Sequence, residues 1–172
     1  VTADTVTPGS GSGSGQAFAL QYSDTAGASS FSTLWVWFNA TFAVSGANSC
    51  MLYYDRPSNT LNLLNDAGAQ WVPGTMGTIG TMQDSQCSVN LASSSAVLAG
   101  NTLTLNLAIT FKPAYSGAKD VYMSGADTGG NSSGWQTRGG LTVPSGSLAP
   151  SLINVTCSAQ VTAGSGTACS LD

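Results

Sequence analysis

Hydrophobic positions along this chain recur at every second residue rather than every third or fourth. In NTLTLNLAITF, Leu103, Leu105, Leu107, Ile109 and Phe111 fall on one side, and Thr102, Thr104, Asn106, Ala108 and Thr110 on the other. Successive side chains of a β-strand point to opposite faces, so this pattern predicts a long, half-buried antiparallel strand. QAFALQYS alternates in the same way, with Phe18, Leu20 and Tyr22 on one side. LWVWFNATF differs: Leu34, Val36 and Phe38 alternate with Trp35 and Trp37, which leaves both faces apolar. Such a strand is either covered on both sides or displays a tryptophan pair. Further strands are predicted at SCMLYYD, TLNLLND, CSVNLA, DVYMSGA and GGLTV.

Turn clusters separate these runs: PGSGSGSG, SDTAGASS, DRPSN, NDAG, LAGN, KPAYSG and DTGGNSSG. A turn signal roughly every ten residues predicts an all-β, immunoglobulin-like antiparallel β-sandwich with Greek-key connections, of about seven to nine strands between Ala3 and Val143. Its core is expected to include Phe18, Leu20, Leu34, Val36, Phe38, Leu103, Leu105, Leu107, Ile109, Val121 and Met123. The Gly/Ser run Pro8–Gly15 reads as a flexible linker or as a mobile loop between two strands. The last twenty residues, INVTCSAQVTAGSGTACSLD, place two short alternating runs around a Gly/Ser turn. They predict a C-terminal β-hairpin extension. The chain thus divides into a sandwich over 1–145 and a segment over 146–172. That segment is either the start of a second repeat or a tail that docks on a neighbouring copy, because an isolated two-stranded hairpin is marginal in water and its edges invite pairing.

Charge narrows the functions open to such a fold. Acidic and basic side chains make up 7% of the chain and the net charge is −4. The four basic residues, Arg56, Lys112, Lys119 and Arg138, are dispersed. No cationic footprint for nucleic acid or an anionic membrane surface is present, and no apolar run is long enough to span a bilayer. The sequence has no His and no Glu, so neither a Ser–His–Asp nor a Cys–His arrangement can be built. Cys50, Cys87, Cys157 and Cys169 lack C-x-x-C spacing and have no His to complete a zinc site. They are read as two disulfides, 50–87 and 157–169 being chosen from three connectivities, which places the chain outside the cell or at its surface.

The segment SCMLYYDRPSNTLNLLNDAGAQW, followed by DSQCSVN, NTLTLNLAITFKPAYSGAKDVYMSGADTGGNSSGW and LTV, resembles repeated immunoglobulin-like modules of large secreted and surface proteins of environmental bacteria. The resemblance spans 1–145. SLINVTCSAQVTAGSGTACSLD in turn looks like the opening strands of another such repeat, of a second type. The resemblance implies an architectural or adhesive module and supplies no catalytic residues.

Two constellations are candidate sites. Asp24 in SDTAGASS, with Asp127 and Asn131 in ADTGGNSSG, offers hard oxygen ligands for a structural Ca²⁺, if loops at one end of the sandwich bring them together. The same residues are also good turn formers. Trp35, Trp37, Tyr54, Trp71 and Trp135, with Tyr53, are candidates for a platform that stacks on sugar rings or packs against a loop or subunit. The expected function is a non-catalytic structural or adhesive module. It would be a surface-protein repeat or a filament subunit, partnered by copies of itself or adjacent repeats through 151–172. The alternative is a carbohydrate-binding module that uses the aromatics, with glycans as partners.

Overall fold

The alternating runs become eleven strands in the computed structural model, which describes residues 1–146. The C-terminal hairpin, the Cys157–Cys169 bond and the docking segment 151–172 lie outside the described residues. The strands are β1 (Thr2–Thr7), β2 (Gly15–Ser23), β3 (Phe31–Asn39), β4 (Cys50–Asp55), β5 (Thr60–Leu64) and β6 (Trp71–Thr75). There follow β7 (Thr81–Gln83), β8 (Cys87–Ala99), β9 (Thr102–Phe111), β10 (Gly117–Asp127) and β11 (Gln136–Val143). They form one sheet in the order β1-β2-β9-β8-β7 and a second in the order β11-β10-β3-β4-β5-β6. Every strand pair is antiparallel. The count exceeds the expected seven to nine because β6 and β7 were not read as strands. WVPGT carries Pro73 and Gly74, and it lies at a sheet edge, where a proline is tolerated.

The rows facing inward are those the alternation selects. Phe18, Leu20, Leu34, Val36, Phe38, Leu103, Leu105, Leu107, Ile109, Val121 and Met123 are all buried in a single cluster. Register carries the row across strands: Val36 opposes Leu52 on β4 and Met123 on β10, while Leu20 opposes Leu105. Each such side chain contributes about 1.5–3 kcal/mol by leaving water. Tyr22 is also fully buried. Its hydroxyl donates to the Trp35 carbonyl at 2.8 Å, and burial pushes its pKa far above the ordinary tyrosine range.

The expected Cys50–Cys87 disulfide is present and joins β4 to β8, hence one sheet to the other. At that end Tyr115 sits in a 3-10 turn, Pro113–Tyr115, and its hydroxyl donates to the Phe38 carbonyl. Burial pushes the Tyr115 pKa up to about 12. The Lys119 ammonium lies 4.4 Å from the centre of its ring and donates to the Ser116 carbonyl.

Of the two readings of the Gly/Ser run, the structure has the loop between two strands, β1 and β2. It lies along β11, where Gly140 and Thr142 donate their N–H groups to the carbonyls of Gly9 and Gly11, and Gly13 N–H donates to Thr142 O. Glycine permits the approach: a Cβ on Gly139 would meet the Gly9 carbonyl oxygen at 2.7 Å. The open edge of the six-stranded sheet is thereby covered.

Candidate functional site

The two faces of β3 have different neighbours. Leu34, Val36 and Phe38 enter the core, while Trp35 and Trp37 stand on the outer face of the six-stranded sheet. Register places Tyr53 and Ser124 on either side of Trp35, and Met51 and Tyr122 on either side of Trp37. Trp71 reaches the same face from β6. Trp135 is delivered by the β10–β11 loop. Gly134 turns the chain there at φ 62°, and Ser133 pins the loop back by exchanging hydrogen bonds with Gly125.

The result is one continuous aromatic tract. Trp35 stacks on Tyr53 with centroids 4.7 Å apart, and Trp71 meets both rings edge-on at 5.5 and 4.8 Å. Trp135 bridges the two halves, 6.3 Å from Trp35 and 6.1 Å from Trp37. Phe42 closes the far end against Trp37, Tyr122 and Trp135. Edge-to-face pairs of this kind add about 0.5–1.5 kcal/mol each to simple burial.

The tryptophans are not equivalent. Trp37 is 3% exposed, and its indole N–H donates to Ser49 at 2.6 Å. It belongs to the packing beneath the 40–49 loop. The Trp35 N–H donates to Thr33. Trp71 and Trp135 remain half-exposed, and their indole N–H groups have no hydrogen-bond partner among the described residues.

Two adjacent hollows open on this face. One, of about 320 Å³, is lined by residues that include Trp37, Phe42, Val44, Met51 and Trp135. The other, of about 250 Å³, is lined by Trp35, Met51, Ser124 and Trp135. Ser124 is 8% exposed, yet its hydroxyl makes no hydrogen bond among the described residues.

Of the residues expected to form the platform, Tyr54 is the one displaced. It shares the parity of Cys50 and Leu52, faces the core at 3% exposure, and donates its hydroxyl to Asn59. Tyr53 takes the outer position instead. Phe42, Met51, Tyr122 and Ser124 were not singled out in the sequence. Tyr122 and Met51 had a signal, being out of phase with Val121, Met123, Cys50 and Leu52; Phe42 and Ser124 had none.

The acidic loops do lie at one end of the sandwich, where Thr128 N–H donates to Ser30 O. Each carboxylate is nonetheless occupied within its own turn. Asp24 accepts from Ala26 N–H and from the Ser30 hydroxyl. Asp127 accepts from the Asn131 backbone and side-chain amides, which hold its carboxyl below the ordinary range. These are Asx-turn bonds. No group of three or more His, Cys, Asp or Glu able to hold a metal occurs among the described residues.

A different carboxylate is strained electrostatically. Asp84 Oδ1 accepts from the N–H groups of Gln86 and Cys87, while buried Oδ2 has no partner among the described residues. Burial raises its pKa. No described helix is long and apolar enough to cross a membrane. In comparisons with known proteins, the chain matches no family model, no curated protein and no solved structure.

Proposed function

We propose that this chain is a non-catalytic extracellular module of immunoglobulin-like build, adhesive through the outer face of its six-stranded sheet. The observation that carries the reading is the aromatic tract itself. The core is already filled and tied across the sheets by Cys50–Cys87, yet Trp35, Tyr53, Trp71 and Trp135 are kept on an outer face and left half-exposed. Contiguous exposed apolar surface of this kind marks an interaction site.

The build has its own support. Read as A-B-E-D and G-F-C-C′-C″, the two strand orders follow those of variable-type immunoglobulin domains, with β7 and β6 added at the ends. Tyr115 occupies the corner between the equivalents of strands E and F. The disulfide departs from that pattern by joining the C′ and D equivalents instead of B and F. A disulfide between the sheets suits an oxidising, extracellular compartment. Assembly into repeats or filaments through 151–172 stays a subordinate part of the proposal, since that segment lies outside the described residues.

The test is retention on surfaces. The full chain is applied to cellulose, chitin, xylan, peptidoglycan and protein-coated beads, beside a Trp71→Ala/Trp135→Ala double variant whose fold is verified by circular dichroism. Retention on at least one surface that the double variant loses is the expected result. A wild-type chain retained by none, or a double variant retained equally, overturns the reading.

A further inference from the structure

We propose that the aromatic face is a two-compartment cleft for a neutral carbohydrate, with Trp135 as the partition and the Ser124 hydroxyl as an anchor in one compartment. The proposal rests on the adhesive reading above and names the ligand class at the same face.

Shape comes first. The hollows flank Trp135 and Met51, which line both. At about 320 and 250 Å³ they sit at or below the lower end of small-molecule pockets, which begin near roughly 300 Å³. Each therefore suits a ring-sized unit, and their adjacency suits two linked units. A pyranose has C–H bonds on its broad sides and hydroxyls around its rim. The C–H bonds, slightly positive, lie well against the negative faces of indole and phenol rings. The rim hydroxyls need donors and acceptors at the edge of the aromatic floor.

The face provides both. Ser124 lies nine-tenths buried with an unpartnered hydroxyl that lines the smaller hollow. Solvent reaches this hydroxyl through the hollow, and a ligand hydroxyl placed there can take over the bond that water makes. The unpartnered indole N–H of Trp135, which lines both hollows, adds a donor, and that of Trp71 lies farther along the same face; a hydroxyl can both give and accept. A ligand made of rings fringed with hydroxyls satisfies this set. An apolar protein surface leaves it unsatisfied, which disfavours the aromatic face of a second copy of this chain as the occupant. Phe42 and Val44, the strongly exposed apolar residues here, stand at one end only.

Charge selects among sugars. No charged side chain lines either hollow. All four basic residues are engaged elsewhere: Arg56 with Phe31 O, Arg138 with Ala3 O, Lys112 with Gln83, and Lys119 beside Tyr115. Two carboxylates stand on this face: Asp120, which accepts from the Tyr122 hydroxyl, and Asp55, opposite Thr33 at the end of β4. A uronate or sulfated chain would thus meet no cation and two anions, so the ligand is a neutral glycan.

The test titrates the full chain with neutral oligosaccharides of the cello-, xylo- and chito- series, one to six units long, and with an oligouronate series. At least one neutral series is expected to bind, the dimer at least about tenfold tighter than the monomer because it fills both hollows. Ser124→Ala should bind about tenfold more weakly, the value of one good hydrogen bond, with Tm unchanged because no bond within the protein is lost. Trp135→Ala should fall below detection and Trp135→Phe retain part of the affinity. Thr104→Ala, on the other sheet, should bind as wild type. Ser124→Ala binding like wild type overturns the proposal, as does tighter binding of the uronates or a dimer in sedimentation that Trp135→Phe weakens. Failure of every neutral series, while surface retention through this face persists, overturns the glycan assignment and leaves the adhesive reading standing. Absence of retention removes the adhesive reading itself.

Discussion

Along β9 the outward row reads Thr102, Thr104, Asn106, Ala108 and Thr110; along β3 it reads Thr33, Trp35, Trp37 and Asn39. Behind each row lies the same core, and both strands are flanked by partners on either side. The outer face of the five-stranded sheet continues in kind, with Ala19 and Gln21 on β2 and Ser88 and Ser95 on β8. That of the six-stranded sheet continues with Tyr53, Tyr122, Met51 and Trp71. Folding demands apolar side chains on the inner rows and is nearly indifferent to the outer ones. The polar face shows what this sandwich does when stability alone decides. The aromatic face departs from that baseline in two ways: Trp37 is consumed by the 40–49 loop, while Trp71 and Trp135 stay open to a partner.

The contrast can be broken most forcefully through the tie both sheets share. Replacing Cys50 and Cys87 with serine removes a 37-residue closure. On the chain-entropy account this should cost about 4 kcal/mol. Denaturant melts should show that loss in either face's background. Next in size, Trp37→Ala should cost about 3 kcal/mol, because it empties a buried site and leaves the Ser49 hydroxyl with only its bond to the Gly46 carbonyl. A loss under about 0.5 kcal/mol, the range of ordinary surface changes, would move Trp37 from packing to the open group. Trp71→Ala should cost about 1 kcal/mol through its edge contacts with Trp35 and Tyr53, while abolishing surface retention.

A smaller effect comes from Asp84, beside the disulfide. Its folded pKa lies above the ordinary carboxylate value, so ionisation opposes folding. Asp84→Asn keeps the acceptor for Gln86 and Cys87 and should raise Tm at neutral pH. The gain should shrink as pH falls through the raised pKa, where the wild-type carboxyl takes up its proton. Asp66 and Asp127 act oppositely. Their carboxyls are held low by Ser85 and Asn131, so their contribution is present above the ordinary carboxylate value and lost as pH falls through their depressed ones. Comparing the two proteins across pH isolates Asp84. Smallest of all, Thr104→Ala and Asn106→Ala on the polar face should shift stability by no more than about 0.5 kcal/mol and leave retention untouched.

Much of this was legible in the sequence because a strand has only two sides. Period-two alternation assigned the inner rows of β2, β3, β9 and β10 and flagged β3 as apolar on both. The parity of β4 was also legible. A cysteine that bridges two sheets must face inward, and Cys50 then carries Leu52 and Tyr54 with it. Neglecting that anchor is what put Tyr54 on the platform alongside Tyr53. Other features were hidden for physical reasons. Ser124 is an unremarkable residue until register sets it beside Trp35, and Phe42 reaches the face from a loop with no periodicity. The Gly/Ser run has the composition of a free linker, and its role depends on β11, more than a hundred residues away.

That run has a mechanical consequence. Residues 9–13 lie parallel to β11, joined by the Gly9, Gly11 and Gly13 bonds and by the Ser12–Thr142 bridge. Tension applied at Val1 and at Gly146 loads β1 against β2 first, and where it passes on to residues 9–13 it draws them and β11 in opposite directions along their common axis. The bonds between them are then loaded together in shear instead of being opened one at a time. The stretch that looks weakest in composition therefore adds, behind the β1–β2 ladder, a second set of bonds that resists such a pull.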